Sequence, residues 1–451
     1  MIVDYMSRVL GLKGFHLFNR LASIVGMKAC LSVVFSLYLV LSVYSLHSSE
    51  VFAGILLLVG MLGLKGVGSK LELKPLSLFE KWLLVSFALY AFISVVSFLY
   101  WPATRDSHMR IEDDLKFLMF IPLYLLFREY NFNRHHLVIL FILFSASMGA
   151  VSLGQFLNVG FIAEAYGLSV RPAADVNPMR YAVVALLAAC FCLSYWLLSR
   201  HKSILIKMIL LSAILLGLIA CALTQTRGVW LSIPILILLY ITFSFRHLGF
   251  RYVSTLLTVS SLLIFILAQT TFFQERIDLT VKSLNQYQSG SGLSSLGVRL
   301  DMYKASLLLA EEKPVFGHGL GVFKDKSREL RESGALGDKV HEQVGKRRTP
   351  HNEFFQAIVE RGVIGLLATI FIFIVPGIIF YRAAKSDSEA NSFYGLSGLS
   401  LLIVFFVAGQ TGTLFNHNLF TNFYIIMVML FVSQIKWGES RGRVDQVSLD
   451  T

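Results

Sequence analysis

A histidine stands at the boundary between a polar segment and a long apolar run, in the stretch Thr349-Pro350-His351-Asn352-Glu353-Phe354-Phe355. Thr349 is predicted to cap a helix and Pro350 to take its first position, which puts His351 in the first turn. The positive end of the helix dipole disfavours the imidazolium and lowers the pKa of His351. The neutral imidazole can then serve as a general base. A capping or interfacial histidine is the alternative interpretation.

Two arginines are placed where an anion could be bound. Arg227 lies in the short connection 224–228 between two apolar runs, on the side where the positive-inside bias works against arginine. Its guanidinium could bind a phosphate through a fork of donors, or extend to the membrane interface without a ligand. Arg299 lies near the start of a predicted amphipathic helix, where a cation is electrostatically unfavourable. Either an anionic ligand or a solvated surface position would explain it.

The composition indicates what must position these residues. The 451-residue chain is 55% hydrophobic and only 15% charged, and its mean hydropathy is +0.67. These values predict an all-α polytopic membrane protein, since a water-soluble fold could not bury so much apolar surface. Runs of about 17 to 25 apolar residues can cross ~30 Å of hydrocarbon as helices. We predict about twelve: 21–45, 51–68, 79–101, 115–128 (short, with Pro122), 135–155, 180–199, 203–223, 229–245, 252–270, 355–381, 392–409 and 418–436.

Basic residues predict the orientation of these spans. Every even-numbered connection is short and basic, as the positive-inside bias requires if the N-terminus is cytoplasmic. An even number of spans then places both termini in the cytoplasm. The formal charge of +12 reflects these loops and anionic lipid rather than nucleic acid.

The chain is accordingly divided into three parts: 1–270 with nine spans and short loops, 271–352 as a large outward loop, and 353–451 with three spans and a cytoplasmic tail. In the outward loop, apolar residues recur on one face of a helix that runs to Glu312 and is broken by Pro314 and a glycine-rich turn. A segment of this length is predicted to fold as a small helical cap.

Three motifs, in order around the large loop, resemble the O-antigen ligase family, a group that also contains O-antigen polymerases and bacterial protein O-oligosaccharyltransferases. The match covers about residues 210–380, while the N-terminal half is similar only as a bundle of spans. The motifs are Gln225-Thr226-Arg227-Gly228-Val229-Trp230; Arg299-Leu300 with Glu311-Glu312-Lys313-Pro314-Val315-Phe316-Gly317-His318-Gly319-Leu320-Gly321; and Pro350-His351-Asn352-Glu353-Phe354 with Glu360-Arg361-Gly362-Val363-Ile364-Gly365.

The resemblance implies a type C-like inverting glycosyltransferase in the bacterial inner membrane. Such a ligase transfers polysaccharide from undecaprenyl diphosphate, the donor carrier, to lipid A–core oligosaccharide, the acceptor, on the periplasmic face. His351 matches the family's essential histidine, the general base, and Arg227 and Arg299 its essential arginines, which bind the diphosphate. Arg180 is a further candidate for that diphosphate. The resemblance implies no cofactor and a metal-independent reaction, and the remaining candidates for supporting roles are Asn352, Glu353 and Gln225.

Three alternatives remain open. An O-antigen polymerase would extend repeat units on the same carrier, although polymerases tend to have two sizeable outward loops. A transporter of the lipid-linked saccharide would be expected to carry charged residues at mid-membrane or internal pseudo-symmetry. Finally, Glu112-Asp113-Asp114 in an outward loop is similar to metal-binding acidic residues of other membrane glycosyltransferases, or is a solvated acidic loop.

Overall fold

The computed structural model describes residues 26–42, 44, 46–67, 75–102, 104–166, 171–174, 176–198, 203–243, 274, 278, 281–283, 285, 295–336 and 343–449. The predicted ninth span, 252–270, lies outside these residues. The helices are α1 (Met27–Leu41), α2 (Leu46–Val67), α3 (Leu78–Tyr100), α4 (Arg105–Met119), α5 (Ile121–Glu129), α6 (Arg134–Phe156), α7 (Gly160–Tyr166), α8 (Pro178–Leu198), α9 (Ile204–Leu223), α10 (Arg227–Trp230), α11 (Ser295–Glu312), α12 (Phe323–Glu332), α13 (Glu353–Ala384), α14 (Glu389–Gly409) and α15 (Asn418–Leu449).

Seven helices of the described residues are long and apolar enough to cross a membrane: α3, α6, α8, α9, α13, α14 and the part Asn418–Ile435 of α15. Three shorter apolar helices, Ala29–Leu41, Glu50–Met61 and Arg227–Phe243, coincide with the predicted first, second and eighth spans. The predicted class, a helical multi-pass membrane protein, is confirmed. The total of twelve spans stays a prediction, as do the boundaries 1–270, 271–352 and 353–451.

The predicted fourth span, 115–128, is not one helix. Helix α4 ends at Met119 and α5 begins at Ile121, with Phe120 between them. Pro122 lies in the first turn of α5, where a proline removes no helical hydrogen bond. The nine residues of α5 rise about 14 Å, which is short of the hydrocarbon thickness. The hydropathy of this segment predicted one helix because periodicity does not register a bend.

Helices α8 and α15 form the centre of the bundle. Inside the protein lie 89% of the apolar stretch of α8 and 94% of that of α15, against 39% in α3 and 33% in α9. The outer helices present large apolar side chains to their surroundings, among them Phe92 and Leu99 of α3. Large apolar side chains on the outer surface fit a lipid solvent, which does not penalise exposed apolar surface.

A small apolar cluster outside the bundle holds α11 and α12 together. The predicted amphipathic helix is present as α11 and buries Met302, Ala305 and Leu309. These side chains pack with Phe323 of α12, with Leu336 and Val344, and with Val359 of α13. Because α13 takes part in this cluster, these two helices are fastened to the helix that follows His351.

Helix α13 is interrupted at Gly362, and the glycine-rich motif fills the break. Gly362 has φ 65° and ψ −162°, and a Cβ built there would lie 2.1 Å from the carbonyl oxygen of Val315. The backbone N–H of Val363 donates to Pro314 O at 2.8 Å, and that of His318 donates to Val359 O at 2.8 Å. The motif thus supplies hydrogen bonds that the interrupted helix cannot make for itself.

Candidate active site

A cavity of about 1610 Å³ opens where α8, α10 and α15 begin and α14 ends. It brings together residues that are far apart in the sequence, because the connections at this end of the bundle all converge on it. His351, Arg227, Arg299, Arg180 and Gln225 all line it. Among the described lining residues there are eight Lys or Arg and four Asp or Glu, so the cavity favours an anion.

The prediction that His351 lies in the first turn of the helix is wrong, because α13 begins at Glu353. The N-cap is Asn352, whose side-chain oxygen accepts from the backbone N–H of Phe354 at 2.9 Å and of Phe355 at 3.1 Å. His351 precedes the cap with φ 56°, in the left-handed region. That conformation costs a non-glycine residue about 1–3 kcal/mol and is held by the surrounding contacts. Asparagine accepts these two donors readily, so it takes the capping role assigned to Thr349.

The His351 imidazole is neutral at physiological pH. Burial lowers its pKa from the ordinary value of 6.5, and the nearby cations Arg299 and Arg347 lower it further. The predicted direction of the shift is therefore correct, but its causes are desolvation and the two cations rather than a place in the first helical turn. A neutral imidazole with arginines close by can accept a proton from a bound hydroxyl.

Asn352, one of the predicted supporting residues, connects the start of α13 to the loop after α14. Its Nδ2 donates to the carbonyl oxygen of Gln410 at 3.2 Å. The Tyr303 hydroxyl of α11 donates to the same carbonyl at 2.9 Å, and its ring packs on Phe355 at 4.9 Å between centroids. Arg299 lies one turn before Tyr303, so these contacts hold its helix beside the segment that carries His351.

Arg227 begins the helix of the predicted eighth span and lines the cavity. The next residue must be small, because a Cβ at Gly228 would lie 2.1 Å from Thr411 Oγ1 and 2.9 Å from Thr411 Cβ. Gln225, another predicted supporting residue, has φ 55° and turns the chain between the two helices. This turn places the start of α10 against the loop after α14, the same loop that Asn352 contacts through Gln410.

Arg180 is joined in the cavity by a histidine that sequence reasoning missed. The Nη2 of Arg180 lies 2.7 Å from Nδ1 of His417. Burial, with the charges of Arg180, Arg110 and His351, lowers the pKa of His417 to about 3. His417 is therefore neutral and its Nδ1 accepts from the arginine. The signal for it was the polar triplet Asn416-His417-Asn418 at the start of the last predicted span.

Glu353, the third predicted supporting residue, is only 1% exposed. Its carboxylate accepts from the backbone N–H of Leu414 at 2.6 Å and of Phe415 at 3.1 Å. It also lies 3.5 Å from Arg110. These contacts fix the loop that carries His417, so the role of Glu353 is to position the cavity wall.

Beneath the cavity lies a buried network of ion pairs, which we call the floor network: Arg110, Asp114, Glu353, Glu360 and Arg361. Each of these residues is at most 2% exposed. Arg110 lies 3.2 Å from Asp114 and 3.2 Å from Glu360. Arg361 lies 3.0 Å from the second oxygen of Asp114. The network joins α4 to α13, and Arg110 also donates to the carbonyl oxygen of Phe415 at 2.6 Å.

The acidic stretch 112–114 is divided between these regions. Asp114 accepts from Ser94 at 2.7 Å and from Tyr90 at 3.1 Å in addition to its two arginines. Glu112 and Asp113 line the cavity, and Asp113 also pairs with Lys116 at 2.6 Å. Both oxygens of Asp114 and one oxygen of Asp113 are thus engaged by protein cations, so a structural role accounts for these two residues of α4 better than a solvated loop.

Comparison with known proteins agrees with the motifs. Residues 212–370 match the model of a family described as O-antigen ligase (Wzy_C), and this stretch contains Arg227, Arg299 and His351. The resemblance predicted from the motifs is confirmed over this stretch: residues 212–370 are similar to the O-antigen ligase family, within a multi-pass helical membrane protein. Arg110, Arg180 and His417 lie outside the matched stretch.

The similarity to one individual protein covers more of the chain than the family match does. A protein of Haemophilus influenzae (strain ATCC 51907 / DSM 11121 / KW20 / Rd) named "Uncharacterized protein" is 23% identical over 364 residues, which are 78% of this chain and 86% of the relative. The similarity thus extends well beyond residues 212–370.

Proposed function

We propose that the protein is an O-antigen ligase. It would transfer polysaccharide from undecaprenyl diphosphate to lipid A–core oligosaccharide, with the cavity on the periplasmic face of the bacterial inner membrane. The observation that supports this most is the meeting of a neutral histidine, His351, with Arg227, Arg299 and Arg180 in one cavity at the ends of apolar helices. Three of these residues, Arg227, Arg299 and His351, lie within residues 212–370, the stretch that is similar to the O-antigen ligase family.

In the proposed reaction His351 takes the proton from the acceptor hydroxyl as its oxygen attacks the anomeric carbon of the donor sugar. The new glycosidic C–O bond forms while the bond to the diphosphate breaks with its electron pair, and attack from the opposite face inverts the configuration. The leaving undecaprenyl diphosphate gains negative charge. Guanidinium groups already in place stabilise that charge without reorganisation, which is the role assigned to Arg227, Arg299 and Arg180.

The apolar part of the lining is placed to suit a lipid carrier. Leu231 follows α10, and Leu419 and Phe420 lie in the first turn of α15, next to the cations of the same cavity. A polyprenyl chain leaving the diphosphate toward the hydrocarbon would meet the exposed Leu231, while Leu419 and Phe420 form the buried wall behind the cations. A water-soluble nucleotide sugar has no apolar chain that these side chains could bind.

The test is transfer by purified protein supplied with undecaprenyl-diphosphate-linked glycan and lipid A–core, with EDTA present. We expect product from the unchanged protein and none from His351→Ala or Arg227→Ala. His108→Ala is the matched control, because His108 is an exposed histidine of α4 and its loss should leave transfer unchanged.

Three outcomes would contradict the assignment or one of its parts. Glycan that lengthens on the carrier, with no transfer to lipid A–core, would identify a polymerase instead. Wild-type turnover in His351→Ala would remove the general-base role. Product that is lost with EDTA and restored by a divalent cation would show that the reaction is not metal-independent.

A further inference from the structure

A second, smaller pocket of about 360 Å³ lies beside α12. Its lining contains four cationic residues: Lys324, Arg328, Arg331 and Lys346. Among the described lining residues there is no Asp or Glu. We call this group the basic pocket.

The charges of α12 are segregated by helical periodicity. Lys324, Arg328 and Arg331 are spaced four and three residues apart and therefore share one face. Asp325, Glu329 and Glu332 repeat the same spacing one residue later, on the adjoining face. Arg328 pairs with Asp325 at 2.7 Å at the border between these faces.

The segment before His351 is held against this basic face. Gly345 has φ 88°, and a Cβ built there would lie 2.8 Å from the Cα of Arg328 and 2.9 Å from its Cβ. This close approach, which only glycine permits, brings the following residue, Lys346, into the basic pocket. A fourth cation is thus added from a different part of the chain.

The basic pocket is continuous with the candidate active site. Lys346 lines both cavities, and the next two residues, Arg347 and Arg348, line the larger one. The path from the basic pocket to His351 is therefore a short row of cations. Arg328 shares its charge with Asp325, but the lining still turns cationic side chains toward one small space from two parts of the chain, an arrangement that attracts an anion with several negative charges.

Phosphate suits this site better than a carboxylate does. Arginine side chains bind phosphate oxygens with paired donors and lysine adds a mobile point charge. The diphosphate of the donor is assigned to Arg227, Arg299 and Arg180, on the bundle side of the cavity. A second site on the side of α12, reached through Lys346, is placed for the molecule whose hydroxyl must approach His351.

We propose that the basic pocket binds phosphate groups of the acceptor glycolipid and so sets its position before transfer. The proposal rests on the proposed function, because it assigns the pocket to the acceptor of that reaction. The donor and its diphosphate remain in the larger cavity. Binding at the basic pocket would govern the KM for the acceptor without touching the reacting atoms.

The test compares Lys324→Gln with Lys326→Gln. Both remove one positive charge from α12, but Lys326 lies outside the basic pocket and pairs with Glu329 at 2.6 Å. With intact lipid A–core, Lys324→Gln should raise the acceptor KM roughly three- to tenfold at unchanged kcat and donor KM. Lys326→Gln should leave all three unchanged. Phosphatase-treated acceptor should show the raised KM already with the unchanged protein, and Lys324→Gln should not raise it further.

A binding measurement separates this proposal from the proposed function. The Kd of the His351→Ala protein for intact and phosphatase-treated lipid A–core does not depend on turnover. Tighter binding of the intact glycolipid, lost on adding Lys324→Gln, supports the basic pocket even if no transfer is seen in any assay. Absent transfer by the unchanged protein contradicts only the proposed function.

Two results would overturn the proposal. One is transfer by Lys324→Gln with the acceptor KM of the unchanged protein. The other is weaker binding of Lys324→Gln to phosphatidylglycerol vesicles with no change toward lipid A–core, which would assign the basic pocket to bilayer headgroups.

Discussion

The floor network and the cavity above it use the same residue types in opposite ways. In the floor network, Arg110 and Arg361 are at most 2% exposed and face carboxylates at 3.0–3.5 Å. In the cavity, cations outnumber acids among the described lining residues. A buried arginine that is paired with carboxylates holds helices together, and Arg110 does so even though it also borders the cavity. A cavity with surplus cations is at higher electrostatic energy until an anion enters.

The comparison shows that a motif does not assign a role by itself. Arg361 and Glu360 belong to the same family resemblance as Arg299 and Arg227, yet they lie in the floor network. They hold the start of α13, and hence His351, against α4. The cavity residues depend on this support, since a site displaced by about 1 Å loses much of its catalytic advantage.

The largest effect is expected for His351→Gln. Loss of a general base lowers turnover about 10²- to 10⁴-fold, while the melting temperature should stay the same because His351 is not part of the floor network. Initial rates and thermal unfolding in detergent check both. A large drop in the melting temperature would contradict the separation of roles, because it would show that His351 stabilises the fold as the floor network does.

Arg361→Met should destabilise the fold rather than the chemistry alone. It leaves Asp114 with one of its two arginines, and removing one partner of a buried ion pair costs about 3–5 kcal/mol. Arg299→Met, on a half-buried cavity residue, should change the free energy of unfolding by less than about 1 kcal/mol and yet remove transfer. Thermal unfolding of both variants decides the point, and equal melting temperatures would contradict the division.

Gly362→Ala should cost about 1–3 kcal/mol through its positive φ, with more from the clash with Val315. The matched control is Gly377→Ala in the same helix, where a Cβ would meet its nearest neighbour, Leu402, at 3.5 Å. That change should be neutral or slightly stabilising. If both variants unfold at the same temperature, the docking of the glycine-rich motif at Gly362 contributes little.

The smallest effect is a shift in pH dependence. Only neutral His351 acts as a base, and its lowered pKa keeps the protein active below pH 6.5, so activity is lost as the pH falls through that pKa. Arg347→Gln removes one cause of the lowering, so the acid limb of kcat/KM should move to higher pH. Arg348→Gln is the control, since Arg348 pairs with Asp106 at 3.5 Å. An unmoved acid limb in Arg347→Gln would mean that His351 does not set it.

Much of this protein could be predicted because lipid imposes simple rules. Apolar runs predicted most of the spans, whereas the meeting of His351 and the arginines in one cavity is seen only in the structure. The details of helix ends could not be predicted. Thr349 and Asn352 are both good caps, and tertiary contacts favour the second: Asn352 donates to Gln410, 58 residues later, and Thr349 accepts from Thr413.

The roles of single charges depended on partners distant in sequence. Glu353 was predicted to support the site and lies in the floor network. His417 was not predicted, and its Nδ1 lies 2.7 Å from Nη2 of Arg180. Hydropathy and local motifs carry no information on which loop meets which. Contacts between segments distant in sequence explain three features: the bend at Phe120, the left-handed φ of His351 and the packing of the segment with Lys346 against the basic face of α12.

The sequence by itself determined that the chain crosses a membrane many times and carries a histidine and arginines in motifs that resemble those of the O-antigen ligase family. These properties follow from local composition and short spacing, which no packing can change. The tertiary structure alone decided which charges are neutralised in the floor network and which face the cavity. A charge takes one role or the other according to burial and partners, and both arise only when the helices pack.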